Sequence, residues 1–374
     1  AIWSLLQRPQ PPHEIARSSI DERHLLEFPW SSSIIHGESS ILIREDEQVT
    51  ARLAFPAAEI LSIRAANRSY DFQPGIDFEL VTEGVKSGTR VVFKNTGPVE
   101  AFRPEEFFPP AGSPGSYRHR THRPDQGLLY RPGRGMHDRQ VEITYRRKDL
   151  TWPGPASMTA PAGTLERTTK LLQEGKPIRL AVSGDSISFG WDASRWSAAP
   201  PYQFPYPVLL AAQLRETFGS PVELVNRAVS GWSIASGVED LPRLLESHPD
   251  LILIAYGMND VGRGDPAWFG QQAQAMVDKI RVSAPEADII LVASMVGHRE
   301  WSATPSAMFE PYRDALAKRV GPKVALADVT TVWRNFLLIK HDLDLSGNGL
   351  NHPNDFGHRL YAQTILSLLA PSPK

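Results

Sequence analysis

Ile178-Arg179-Leu180-Ala181-Val182-Ser183-Gly184-Asp185-Ser186 is an apolar run of strand length that stops abruptly at Gly-Asp-Ser. A strand without apolar/polar alternation is one covered on both faces, which is the habit of a parallel sheet sandwiched by helices. The runs Val222–Val225, Leu251–Tyr256, Ile289–Ala293 and Val324–Val329 share that character. Between them, stretches with helical periodicity predict helices over Tyr206–Phe218, Val238–Leu245, Trp268–Val282 and Met308–Val320. Alternating strand and helix predict an α/β unit whose strand-end loops collect on one rim.

Upstream, the period changes. Short alternating runs, Ser40–Arg44, Val49–Leu53 and Arg90–Phe93, are punctuated by the turn pairs Pro74-Gly75 and Ser87-Gly88. This is the pattern of a small antiparallel β domain, sandwich-like, with Val141–Tyr145 as its last strand. Arg103–Met136, rich in Pro, Gly and Arg, reads as a long loop. The proline-rich stretch from Thr151 to Gly163 reads as a linker, because prolines hold the backbone extended. The 374 residues exceed the usual size of one core. The predicted division is a β-rich domain over 1–150, a linker over 151–165 and the α/β domain over 166–374.

Composition removes several function classes. A net charge of −2 argues against nucleic acid or an anionic membrane surface as partner. No apolar run approaches the ~18–20 residues needed to cross a bilayer, so a soluble protein without a membrane span is expected. With no cysteine, disulfides, thiolate metal sites and a thiol nucleophile are excluded. The chain begins at Ala1 rather than Met and carries no stray thiol, and the expectation is a secreted or periplasmic protein whose export signal has been removed.

Four blocks carry chemistry. Gly184-Asp185-Ser186 follows the first apolar run, Asn226 to Gly231 the second and Gly257-Met258-Asn259-Asp260 the third, while His352-Pro353-Asn354-Asp355 lies near the C-terminus. They offer a hydroxyl nucleophile, hydrogen-bond donors for a developing oxyanion and an imidazole base. Each block alone has an ordinary structural reading: a turn at Gly-Asp-Ser, a turn glycine at Gly231, a helix cap at Asn259, a loop histidine at His352. Asp260 reads as structural. The pattern G-x-S-x-G is absent, which disfavours the elbow of α/β-hydrolases.

In their order and spacing, the four blocks resemble the SGNH, or GDSL-type, serine hydrolase family over roughly Ile178 to Ala370. The resemblance implies a flavodoxin-like hydrolase domain in which Ser186 is the nucleophile and His352 the general base. By the same likeness, Gly231 and Asn259 join the Ser186 N–H in the oxyanion hole. No cofactor and no metal is implied. The family usually carries an Asp three residues before its catalytic His, and here that position is Gly349. Asp344, Asn348 or a backbone carbonyl could orient His352, with a dyad or a neutral orienter expected ahead of a distant Asp.

The resemblance extends to two-domain bacterial carbohydrate esterases and implies removal of a short acyl group, an acetyl, from an oligo- or polysaccharide. Trp191, Trp196, Tyr202, Trp232 and Trp301 stand near the blocks in sequence and offer apolar faces for sugar rings, although tryptophans more often pack interfaces. The competing expectations are a lipid or lysophospholipid esterase or thioesterase, and a carbohydrate-binding protein that has lost turnover. The basic run Tyr117–Arg123 reads as a solvated loop in preference to a site for an acidic glycan or, through His119 and His122, for a metal. Oligomeric state is left open.

Overall fold

The computed structural model describes residues 24–82, 89–117, 120–155 and 158–370. The Ser87-Gly88 turn, and Arg118 and His119 of the basic run, lie outside the described residues. Among the described residues the first half contains ten strands: β1 (Ile34–Ile41), β2 (Ile43–Glu45), β3 (Gln48–Leu53), β4 (Ala57–Ala65), β5 (Asp71–Phe72), β6 (Phe78–Thr82), β7 (Thr89–Phe93), β8 (Ser116–Tyr117), β9 (Leu128–Leu129) and β10 (Gln140–Arg147). Two antiparallel four-stranded sheets result, in the orders β1-β10-β4-β5 and β2-β3-β7-β6. Their apolar faces meet, as where Phe72 of one sheet packs edge-on against Phe93 of the other at 5.3 Å. The strict alternation of buried and half-buried residues along β7 is the signature of a strand with one face in such a core.

The second half is built on β11 (Ile178–Gly184), β12 (Val222–Asn226), β13 (Leu251–Ala255), β14 (Asp288–Ala293) and β15 (Val324–Asp328). They form one parallel sheet in the order β12-β11-β13-β14-β15. Every residue of β13 and β14 is buried, as expected of unalternating strands covered on both sides. The chain order reverses at β11, so the loops leaving β11, β12 and β13 are neighbours at the carboxyl edge, where open α/β sheets keep their sites.

Helices occupy Tyr206–Phe218, Ile234–Leu245, Pro266–Ser283 and Phe309–Ala317, within a few residues of expectation. A further helix, Val329–Leu337, abuts β15 without a turn, its first turn capped by the Asp328 carboxylate accepting from Thr331 N–H at 2.9 Å. Among its described residues Arg103–Met136 is mostly irregular, with one short 3₁₀ turn, the tiny strands β8 and β9, and the start of a single helical turn, Arg134–His137.

The two halves share one continuous buried apolar cluster, running from Leu25 to Leu369. Even the proline-rich stretch contributes, because Trp152 packs between Trp30 and Phe55, each at 6.1 Å. The last helix, Asp355–Leu369, is buried along its length except at Leu368. Its polar residues are met by the first half: Arg359 donates to Gly37 O at 2.6 Å and Gln363 to Glu27 O at 3.1 Å. Nearby, Lys340 and Glu38 form an ion pair of 2.9 Å with both side chains fully buried.

Candidate active site

The nucleophile turn is made by steric necessity at Gly184. A Cβ there would lie 2.4 Å from Ser188 Oγ and 3.1 Å from Ala255 O, so only glycine lets β11 end this close to its neighbours. Asp185 then caps a single helical turn, Ser186–Phe189, with its carboxylate accepting from Ile187 N–H at 2.9 Å. Burial pushes the Asp185 carboxyl up to about 7, and the nearby Asp260 carboxylate adds to the rise. Gly190 ends the turn in a left-handed conformation, φ +112°. Ser186 sits at the head of this turn, nearly buried.

Opposite it, His352 Nε2 lies 3.0 Å from Ser186 Oγ. The other ring nitrogen, Nδ1, lies 2.8 Å from Asp192 Oδ2. A carboxylate can only accept, so Nδ1 carries the hydrogen, and the free lone pair of Nε2 faces the Ser186 O–H, which donates to it. The Asp192 side chain is fully buried and that of His352 is 12 % exposed. Such a carboxylate can hold one tautomer and stabilise an imidazolium.

Asp192 corrects the expected orienter: the imidazole faces an acid, not a neutral partner, and the acid is remote in sequence. The reason is visible at Gly349, whose φ is +92° and where a Cβ would approach Leu129 O to 2.3 Å. No side chain fits at the position the resemblance reserves for an acid. Asp344 serves elsewhere, accepting from Ile41 N–H and His341 N–H, each at 2.8 Å. Asn348 builds the loop: its Oδ1 accepts from Leu350 and Asn351 N–H at 2.8 and 3.1 Å, and its amide nitrogen donates to Asn351 Oδ1. That nitrogen is also 3.0 Å from His352 Nδ1, but two donors do not bond, and Asp192 is the partner that fits. The available sequence signal was the short turn itself, since a helix stopped after four residues by Gly190 folds Trp191-Asp192 back over Ser186.

The loops after β12 and β13 are tied to the same rim. Val229 N–H donates to Gly184 O at 3.1 Å, Asn259 Nδ2 to Trp232 O at 2.9 Å and Ile234 N–H to Asp260 at 3.1 Å. Asp260 is therefore structural, and burial pushes its carboxyl up to about 6. Gly231 is exposed at φ +82°, and a Cβ there would meet nothing within 4 Å, so its glycine serves conformation, not space. Asn259 is exposed, with one of its two amide hydrogens committed to Trp232 O.

Of the aromatic residues, Trp191 stacks on His352 at 6.0 Å and lies tilted by 35° against Trp196 at 3.8 Å. Trp196 and Tyr202 are 38 % and 46 % exposed, while Trp301 is buried with Leu128 and Leu350. Arg120 of the basic run pairs with Glu300 and lies over the Phe108 ring, so this part of the run is fastened and not freely solvated. One His/Glu group is brought together that the sequence did not single out: His24, Glu27 and His36 place ligand-type atoms within 4.8 Å of one another. The two imidazoles stack in nearly parallel planes 3.7 Å apart, however, so their in-plane lone pairs do not converge on one ion, and Glu27 bridges both rings by 2.9 Å contacts.

A family profile described as GDSL-like Lipase/Acylhydrolase matches residues 182–360. A curated arylesterase from Vibrio mimicus is 39% identical over 89 residues, which is 24% of this chain and 40% of that protein. The chain thus matches well under half the length of that relative. Among solved structures, TesA aligns at 23% identity and a TM-score of 0.38, covering 52% of this chain and 99% of that one. A two-domain esterase active on acetylated mannans aligns at 21% and 0.43, covering 57% and 54%. An acetyl xylan esterase from Geobacillus stearothermophilus aligns at 17% and 0.42, covering 53% and 96%.

Proposed function

We propose that this chain, whose residues 182–360 belong to the GDSL-like lipase/acylhydrolase family, is a serine esterase that removes short acyl groups, acetyl foremost, from carbohydrate. The observation that carries the reading is the unbroken line Ser186 Oγ, His352, Asp192, with steps of 3.0 and 2.8 Å and its acid end sealed from water. His352 takes the Ser186 proton as the oxygen attacks the ester carbonyl. Asp192 stabilises the imidazolium, and the N–H groups of Ser186 and Gly231 with the Asn259 amide receive the oxyanion. The leaving alcohol takes its proton from His352, and water, deprotonated by the same imidazole, releases the acid from Ser186.

The sugar assignment is supported by the tilted Trp191–Trp196 pair beside the imidazole and by the exposure of Trp196 and Tyr202. Aromatic faces bury the C–H faces of a pyranose and leave its hydroxyls to the rim. A series of p-nitrophenyl esters tests the acyl preference, with acetate expected to have the highest kcat/KM. Preference for chains of eight carbons or more would point to the lipid reading instead. Ser186→Ala is expected to lose on the order of 10⁶ in kcat. Wild-type turnover in that variant would end the esterase assignment.

A further inference from the structure

We propose that the main chain of Leu129–Gly133, which belongs to the first half of the molecule, is a positioning element of the catalytic site; this rests on the esterase reading above. Gly133 N–H donates to Asp192 Oδ1 at 2.7 Å, while the other oxygen of the same carboxylate faces His352 Nδ1. A carboxylate rotates about its last bond unless both oxygens are held, and a buried one has no water to hold it. The two contacts therefore fix the plane in which Asp192 meets the imidazole. Two residues earlier, Arg131 N–H donates to Asn348 O at 2.9 Å, and Leu129 O presses on Gly349. One short segment thus grips both the acid and the loop that carries the base.

The conformation of Gly133 explains why glycine stands there. Its φ of +64° and ψ of −130° lie where L side chains are strongly disfavoured, yet a Cβ would find its nearest neighbour, Ser197 Oγ, at 3.7 Å. Alanine would fit in space but would pull the peptide toward another φ, turning the N–H away from Asp192. Gly133→Ala therefore addresses the orientation of one hydrogen bond, without filling a cavity or opening one.

The test is a double-mutant cycle with Asp192→Asn, read as kcat, KM and the acid limb of kcat/KM on p-nitrophenyl acetate. Gly133→Ala is expected to lower kcat by roughly tenfold to a hundredfold with KM within about twofold. It should move the acid limb to lower pH, because an imidazolium that loses its aligned carboxylate gives up its proton more readily. Asp192→Asn should shift the limb the same way, and Gly133→Ala should then cost little in that background. Wild-type kcat in Gly133→Ala, an unmoved limb, or full multiplication of the two effects would overturn the inference. Should Gly133→Ala not fold, the amide resonance of Gly133 in the wild-type protein decides. It is expected to follow the titration of His352, and an amide blind to that titration sinks the proposal. Activity surviving in Ser186→Ala would refute the esterase reading itself, whereas activity lost there but intact in Gly133→Ala refutes only the positioning role.

Discussion

The nucleophile turn and the base loop touch across 3.0 Å, but they are held by different parts of the molecule. Asp185, Ser186 and Ser188 draw their partners from the parallel-sheet half: Ile187 N–H on Asp185, Asn226 Nδ2 on Ser188 O, and Tyr206 OH with Ser188 Oγ at 2.6 Å. The base loop is fastened from both halves. Gln140 of β10 donates to Leu343 O and Ser346 O, each at 2.9 Å, and Asn354 Nδ2 donates to Ser39 Oγ at 2.8 Å. Asp344, just ahead of that loop, accepts from the backbone of Ile41 in β1. The nucleophile is thus a local product of strand and turn, while the base is a product of long-range assembly.

Removing the ion pair beneath the base loop should have the largest effect on stability. Lys340→Ala leaves Glu38 buried with, among the described residues, Ala54 N–H and Tyr145 O–H as donors, at 2.9 and 2.6 Å, and should cost about 3–5 kcal/mol in denaturant unfolding. Because the two halves share one core, unfolding should remain a single transition. Two separable transitions, or a loss under about 1 kcal/mol, would break the contrast drawn above.

On the nucleophile side, Asn259→Ala should lower kcat by about 10²–10³ while leaving the fold intact, as expected of a lost oxyanion donor. An unchanged kcat would reduce Asn259 to a tie for Trp232 O and leave the stabilising role to backbone groups alone.

A pH-dependent effect belongs to the nucleophile turn. Asp185 titrates near 7 when folded against 3.8 as its ordinary value, so between those pH values the folded chain binds more protons than the unfolded one. Stability from this group falls as pH rises across that window, by at most about 1.4 kcal/mol per pKa unit, and is level above it. His358, pushed down to about 4 by burial, acts oppositely between about 4 and 6.5. The difference between Asp185→Asn and wild type removes the histidine contribution. Asn preserves the cap, so the variant should gain on wild type as pH rises from about 4 to 7. A pH-independent difference would show that the carboxyl is not held neutral.

How much could be read from sequence follows the same contrast. The β11, β12 and β13 strands declare themselves as predominantly apolar runs, unbroken only in β13, and the residues past them, Ser186, Gly231 and Asn259, fall on one rim by topology alone. Helix Val329–Leu337 escaped because apolar residues continue from β15 into it with no intervening turn. Asp192 could not be paired with His352 by spacing, since the contact exists only when the last loop closes over the first turn. The backbone grip of Leu129–Gly133 leaves no side-chain pattern to read at all.

The buried Lys340–Glu38 pair also sets an order of events during synthesis. β1 leaves the ribosome long before Lys340 does, and until then the Glu38 carboxylate has no cation and β1 has no terminal helix against it. A nascent chain that closed its sandwich early would strand a charge in oil. The contact between the two halves can therefore close in its final form only once Lys340 is in place beside Glu38.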